Sequence, residues 1–381
     1  MKAELSYLDL INLCDNAHPP VNGGIPPDAT GFDAEKLVPL YLTPSLDSAI
    51  IGILRPVIVE QLKAENARSN ELGLRPLWDI RVEESTYRLL RNGRVGPSVS
   101  FSAWCDKPSK RTEAMREVCE RWRDTGLFAD VCGPTKWRGE LYPVYKEPFG
   151  VHDHASSVME GGDESRLNYA FEMERSACAL FGVVTYGVHM SIYEEREDEQ
   201  GNRSLNVWVP TRSRTKQTFP GMLDNTVAGG IPSGMGNFES MVKECMEEAS
   251  LDAGIVRKYA RAVGAISYFF REQMRTSKGW LQPEIEYVYN IAILPEVDPS
   301  VFTPRPLDGE VESFEVWGLA GWSFMKQDKV IEELRAGKFK PNCGLVLIDL
   351  FIRLGLITAE NEAEYMELCT RLHGRFSYEI W

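Results

Sequence analysis

Gly229-Gly230-Ile231-Pro232-Ser233-Gly234-Met235-Gly236-Asn237-Phe238-Glu239-Ser240-Met241-Val242-Lys243-Glu244-Cys245-Met246-Glu247-Glu248-Ala249-Ser250-Leu251 decides how this chain is read. A glycine-rich loop runs into a segment of helical spacing that carries three carboxylates. Glu244, Glu247 and Glu248 stand at i, i+3 and i+4 and so project from one helical face. Phe238, Met241, Val242, Cys245 and Ala249 fall on the opposite, apolar side. Two glycines, a proline and two further glycines mark an irregular turn where backbone must pass close to something. Three like charges on one face repel one another. Hard divalent cations among them reverse that sign, because Mg2+ and Mn2+ prefer oxygen donors, and such a site suits a diphosphate. The bland alternative is a solvated acidic face, the usual outcome for a charge run. The loop tips the reading toward the metal site.

Composition bounds the remainder. The 381 residues exceed what one core usually needs, so more than one unit is expected. A formal charge of −14 argues against a nucleic-acid backbone as the main partner, since such binders neutralise phosphates with a basic surface. A small anionic substrate then needs bridging metal or a local basic patch. The eight cysteines are scattered, with no CxxC pair and no zinc-like cluster with histidine. That pattern, with no apolar core of signal-peptide length at the start, leads to the expectation of a reducing, cytoplasmic setting. The most apolar runs, 179–193 and 343–357, are too short to span a bilayer. The second has the spacing of an amphipathic helix packed on the protein.

The pattern along the chain predicts an α+β protein. Helices are expected over 7–16, over 49–65 with an interruption at Pro56, and over 112–124. Strands are expected over 78–90 and 98–103. Residues 149–168 read as a loop, and within it His152-Asp153-His154 reads as exposed rather than as a metal-ligand pair. A strand ending at Tyr193, a charged hairpin over 194–204 and a returning strand with Trp208 lead to Arg212, Arg214 and Lys216, the first choice of basic groups for a diphosphate. Strands are expected over 259–270 and 284–294. Asp308-Gly309 opens a further strand in which Glu310 and Glu312 share a face with Phe314 and Val316. A carboxylate at the start of such a face is either paired or ligating, or marks a strand end dipping into solvent. Residues 324–334 and 344–372 are helical in pattern.

The order of glycine loop, helix and carboxylates resembles the signature of the Nudix hydrolase superfamily: Gly, five residues, Glu, seven residues, then Arg-Glu-aliphatic-any-Glu-Glu-any-Gly-aliphatic. With Gly229 as the first glycine the spacing is kept and Met235 takes the place of the first Glu. With Gly230 the loop is one residue short. Lys243 stands for Arg, and Ser250 for the closing Gly. Further segments resemble one branch, related to or fused with thiamine pyrophosphokinase. They include Trp137-Arg138-Gly139-Glu140-Leu141-Tyr142, Glu174-Arg175-Ser176-Ala177, Tyr186-Gly187-Val188-His189, Val209-Pro210-Thr211-Arg212, Asp308-Gly309-Glu310-Val311-Glu312 and Lys340-Pro341-Asn342-Cys343-Gly344-Leu345-Val346.

The resemblance implies a Nudix α/β/α sandwich with a mixed sheet over 148–330. A smaller α+β accessory domain over 1–147 precedes it, and a helical extension over 331–381 follows. It also implies a Mg2+- or Mn2+-dependent hydrolase that converts thiamine diphosphate, or its oxo- and oxy- derivatives, to monophosphates. Glu244, Glu247 and Glu248, with the Gly229 or Gly230 carbonyl, would hold the metal. Glu310 or Glu312 would act as base, with Glu244 as second choice, and Lys243 would orient a carboxylate. Trp137, Tyr142 and Trp208 are the aromatic candidates for stacking on a heterocycle, although each alone reads more readily as core. The expected partners are a small-molecule diphosphate and, as an assembly, a second copy of the chain; neither nucleic acid nor membrane is expected. Two other readings compete: a non-catalytic binding module of the same fold, motivated by Met235, Lys243 and Ser250, and an isopentenyl-diphosphate-isomerase-like enzyme. The latter ranks last because no cysteine stands in a Cys-Ser-His-Pro-like context.

Overall fold

The computed structural model describes residues 4–17, 35–89, 93, 95–157, 164–197, 203–216, 218–271, 279–307, 309–314 and 325–376. Parts of two expected elements, 198–202 of the charged hairpin and Asp308 with 315–317 of the strand after it, lie outside these residues.

Helix α1 (Tyr7–Cys14) begins at a capping box in which Ser6 and Asp9 each accept the other's backbone N–H. The strands β1 (Val38–Tyr41) and β2 (Ile50–Leu54) are antiparallel, and α2 (Pro56–Glu71) starts at Pro56. The expected helix over 49–65 is therefore a strand followed by a helix. Pro56 occupies the first helical turn, where its missing N–H costs nothing, instead of interrupting a helix. Next come β3 (Trp78–Arg81), the short pair β4 (Arg88–Leu89) and β5 (Val95–Gly96), and β6 (Ser98–Phe101). The four longer strands form a sheet ordered β2-β1-β6-β3. Helix α3 (Pro108–Thr125) packs below it and stops at Gly126, whose φ of 66° suits a residue without Cβ. The ribbon β7 (Leu141–Tyr145) and β8 (Tyr169–Glu174) is antiparallel and leads into the short α4 (Cys178–Phe181).

The central sheet follows. Strand β9 (Thr185–Glu197) is its axis, with β10 (Arg203–Val207) returning beside its second half. After the two-residue β11 (Thr211–Arg212), β12 (Val227–Gly230) runs antiparallel to the first half of β9. Helices α5 (Asn237–Ala249) and α6 (Ala253–Tyr259) precede the long hairpin β13 (Arg261–Arg271) and β14 (Leu281–Ala292). Strand β14 lies parallel to β9, so the sheet is mixed. The short β15 (Val311–Ser313) pairs with β11, and β16 (Met325–Lys326) with β10. The chain closes with α7 (Gln327–Arg335), α8 (Pro341–Arg353) and α9 (Tyr365–Leu372).

Helices cover both faces of this sheet, giving an α/β/α layering. Tyr186, Val188, Met190 and Ile192 of β9, with Ile285, Tyr289 and Ile291 of β14, bury against Met241, Val242 and Cys245 of α5. The opposite face, including Ile266, Tyr268 and Val288, buries against α1, α7, α8 and α9. Helix α8 is the exception to the expected amphipathic pattern, because Asn342 to Phe351 are all buried. A helix enclosed all round needs no polar stripe. A separate core joins the N-terminal sheet, α2, α3 and the β7–β8 ribbon.

Candidate active site

Strand register fixes the floor of a cleft of roughly 560 Å³. Glu286 of β14 sits opposite Gly187 of β9, which sits opposite Gly230 of β12, so all three face the α8 side of the sheet. Gly229, one residue earlier, faces α5. Each glycine is bare because something lies against it. A Cβ at Gly229 would lie 2.5 Å from both Cγ and Oε2 of Glu244. At Gly230 it would lie 2.7 Å from Cζ of Tyr142 and nearer still to the hydroxyl. At Gly187 it would meet the Glu286 carboxylate, with the Gly229 carbonyl oxygen 3.0 Å away. No side chain fits at these positions, and the cleft passes over the edge strand from the α5 side to the α8 side.

On the α5 side, Gly236 opens the helix and Ser250, at a φ of 54°, ends it. The site substitutes Ser250 for glycine in a left-handed conformation that glycine adopts without strain. Lys243 Nζ lies 2.8 Å from Glu247 and 3.4 Å from Glu244, bridging two of the three carboxylates. Burial lifts the Glu244 carboxyl above its ordinary pKa, and Lys243 partly offsets this. Glu248 lies beneath, accepting the Ala228 N–H at 3.0 Å. Burial, and then the charge of Asp224, push its pKa well above the carboxylate range. Glu310 is the reverse case: burial pulls it up, but its ion pair with Lys216 and a hydrogen bond with Glu248 hold it below the usual value. Glu248 and Glu310 thus share a hydrogen bond, with their pKa values pushed in opposite directions. Arg212 is buried against Asp224. Burial pulls Asp224 up, yet Lys340 and Arg212 bring it down to about 2.

Among the described residues, no three His, Cys, Asp or Glu side chains stand close enough to hold an ion as they are. The donor chemistry nevertheless fits a hard cation. Glu244, Glu247, Glu248 and the Gly229 carbonyl are all oxygen donors, and Glu244 lies directly over the bare face of Gly229.

On the α8 side, a polar cluster that the sequence reading missed lines the same cleft. Tyr268 Oη lies within hydrogen-bond reach of Glu284 and, at 2.8 Å, of Glu286 Oε1, with one proton to share between them. Asn342 Nδ2, at the start of α8, lies 3.0 Å from Tyr268 Oη and 3.3 Å from Glu286 Oε1. Thr185 Oγ1 donates to Glu284 at 3.0 Å, and His189 Nε2 lies 3.6 Å from Glu286. A signal was present: Gln282, Glu284 and Glu286 alternate with apolar residues along one strand.

Of the residues singled out from sequence, Gly229, Gly230, Lys243, Glu244, Glu247, Glu310, Arg212, Lys216 and Tyr142 line the cleft, with Glu248 just below. Four do not reach it. Glu312 is exposed on β15 and pairs with the exposed Arg214 at 3.3 Å, because alternation along β15 buries Val311 instead. Phe314 is buried beyond the strand end, so the shared face expected for Glu310, Glu312 and Phe314 is not formed. Trp208 is core between β9 and α5. Trp137 stacks under Arg123 at 4.5 Å, against the N-terminal core. His152 is also not exposed. It lies 4.4 Å from the rings of Tyr145 and Tyr186 and bonds Asn237, the first residue of α5.

No family model matches the chain. An uncharacterized protein of Saccharomyces cerevisiae is 34% identical over 260 residues, 66% of this chain and 65% of that protein. Nudix hydrolase 20, chloroplastic, of Arabidopsis thaliana is 34% identical over 300 residues, 78% of this chain and 68% of that protein. Nudix hydrolase 24, chloroplastic, of the same plant is 32% identical over 282 residues, 74% and 64% of the two chains. The chain therefore spans about two thirds of the length of these curated relatives. Among solved structures, a Deinococcus radiodurans protein aligns at 19% identity and a TM-score of 0.28, covering 42% of this chain and 80% of its own. A Caenorhabditis elegans Ap4A hydrolase aligns at 12% and 0.27, covering 45% and 99%.

Proposed function

The chain belongs to the Nudix hydrolase family, and from that premise we propose that its cleft hydrolyses a diphosphate to a monophosphate and phosphate with Mg2+ or Mn2+. The observation that carries this reading is the seating of Glu244 over Gly229, with Glu247 and Glu248 one turn on and Glu310 hydrogen-bonded to Glu248. Glu244, Glu247, Glu248 and the Gly229 carbonyl would hold the metal. Bound there, it offsets phosphate charge and acidifies water. Glu310 is the base: its carboxyl is held below its ordinary pKa by Lys216, and it takes the proton as water oxygen bonds to phosphorus and the P–O–P bridge breaks. Lys216 steadies Glu310, and Lys243 spaces Glu244 and Glu247. Arg212, locked on Asp224, positions rather than binds. Among the described residues, Lys136, Arg138 and Lys340 line the cleft without an ion-pair partner within 4 Å, and Lys340 is the proposed contact for phosphate oxygens. The proposed substrates are thiamine diphosphate and its oxidised derivatives, on the strength of the branch-like segments, three of which supply Tyr142, Gly187, His189 and Asn342 to the cleft or its rim. The accessory unit over 1–147 then contributes Tyr142 to the enclosure of the organic half.

The test is a panel of diphosphates, including thiamine diphosphate, ADP-ribose and a nucleotide sugar, given to purified protein with Mg2+ or Mn2+. Monophosphate release from at least one member, lost in Glu248→Gln, is expected. Release from none, or full activity in Glu248→Gln, overturns the proposal.

A further inference from the structure

We propose that the α8 side of the cleft is a recognition site for an amino-substituted nitrogen heterocycle, read by Glu286 and Tyr142. This rests on the diphosphate hydrolase reading and deepens it by naming the class of the organic half. Two observations meet here. First, Glu286 is buried, its Oε1 is engaged by Tyr268 and Asn342, and its Oε2 has no hydrogen-bond partner. Second, Tyr142 is buried, 4% exposed, and its hydroxyl also has no partner. Buried polar atoms are nearly always paired, so two orphans in one cleft call for an explanation.

Strand register brings them to one spot. Glu286 Oε2 lies against Gly187 and the Tyr142 hydroxyl against Gly230, and those glycines are directly opposed on neighbouring strands. Opposed positions are about 5 Å apart, the span of a single aromatic ring. A carboxylate oxygen only accepts, so the ligand must offer N–H there; a phenol donates or accepts, so it can meet a ring nitrogen. An exocyclic amine next to a ring nitrogen supplies both. Charge here is mixed, with Asp130, Glu140, Glu284 and Glu286 lining the cleft beside Lys136, Arg138, Arg175 and Lys340, so recognition rests on the two unpaired polar atoms rather than on net charge. The same ligand's diphosphate then passes over Gly229 and Gly230 toward Glu244. An isoprenoid diphosphate has nothing to offer either orphan.

The experiment compares kcat/KM for thiamine diphosphate, ADP and isopentenyl diphosphate in the wild type, Glu286→Gln and Tyr142→Phe, with thermal midpoints to confirm folding. The wild type is expected to favour at least one amino-heterocyclic diphosphate over isopentenyl diphosphate by tenfold or more, and the favoured one identifies the ring. Each variant is expected to reduce that preference by about tenfold, through KM. A wild type without preference, or a preference unchanged in both folded variants, overturns the proposal. If no diphosphate is cleaved, the hydrolase reading alone fails. Calorimetry with unphosphorylated thiamine and adenosine then decides the site: binding weakened about tenfold in Glu286→Gln upholds it, and no binding to the wild type, or equal binding, overturns it.

Discussion

Replacing Gly229 by alanine separates chemistry from stability. The new Cβ would stand 2.5 Å from Cγ and Oε2 of Glu244, whereas ordinary contact begins at 3.4 Å. The Glu244 side chain must therefore retreat by about 1 Å. It can do so, because it is the end of a flexible chain held mainly by Lys243, and an off-rotamer adjustment costs about 0.5–1.5 kcal/mol. Its carboxylate, however, is a proposed metal donor, and a displacement of about 1 Å at a reacting centre costs about 10²-fold in rate, or about 2.7 kcal/mol of barrier. Gly229→Ala is therefore expected to keep a thermal midpoint within a few degrees of wild type while losing about two orders of magnitude in kcat/KM. Initial rates of monophosphate release, measured with saturating Mg2+ beside a melting curve, provide the assay. Activity within threefold of wild type would refute the reasoning, because Glu244 could then be moved without consequence. A loss of activity matched by a loss of fold would refute it too.

Gly230→Ala should behave in the opposite way. Its Cβ meets the buried ring of Tyr142, which cannot swing aside, so about 1–3 kcal/mol of stability is expected to be lost, with partial recovery in a Gly230→Ala, Tyr142→Leu double variant on urea denaturation. Metal affinity should rise with pH through the acid range, since Glu244 and Glu248 have raised pKa values and must release protons to bind a cation; titration calorimetry in two buffers of different ionisation enthalpy would show proton release, and its absence would count against these ligands. Burial lowers His152 to about 4. The unfolded chain takes up that proton through about pH 6.5, so stability present above 6.5 is lost as pH falls toward 4, by about 2 kcal/mol at pH 5. The pH dependence of denaturation in His152→Gln should be flatter than wild type by that amount, and identical slopes would contradict the aromatic cage.

Much of this site was legible because its key segment is local. The turn, the helix and three of the carboxylates lie within 23 consecutive residues, and glycine spacing with helical periodicity is a short-range signal. Glu310 and Lys216 were also found, since a carboxylate at a strand start and a basic loop residue stand out from their neighbours. Glu284 and Glu286 were present as an alternation, but their use depends on β14 lying beside β9, which no local pattern encodes. Trp137 and Trp208 stayed ambiguous because bulk and aromaticity suit a core as well as a ligand, and both pack with the core, as each alone reads more readily. Similar ambiguity affected the backbone. Residues 50–54 are apolar at every position, a run that fits a buried strand and a buried helix alike. Helix α8 hides its period for the same reason, being enclosed on all sides.

The opposed row of Glu286, Gly187 and Gly230 has a consequence for how the sheet assembles. A slip of β14 by one residue would turn Ile285 and Tyr287 toward the cleft and drive Glu284 and Glu286 into the apolar layer under α5. Two carboxylates stranded there without partners would be strongly disfavoured. The acids that line the cleft therefore also proofread the pairing of the two longest strands at its heart: only the register that builds the pocket lets the sheet close. Selection for ligand recognition and selection for correct folding thus act on the same two side chains.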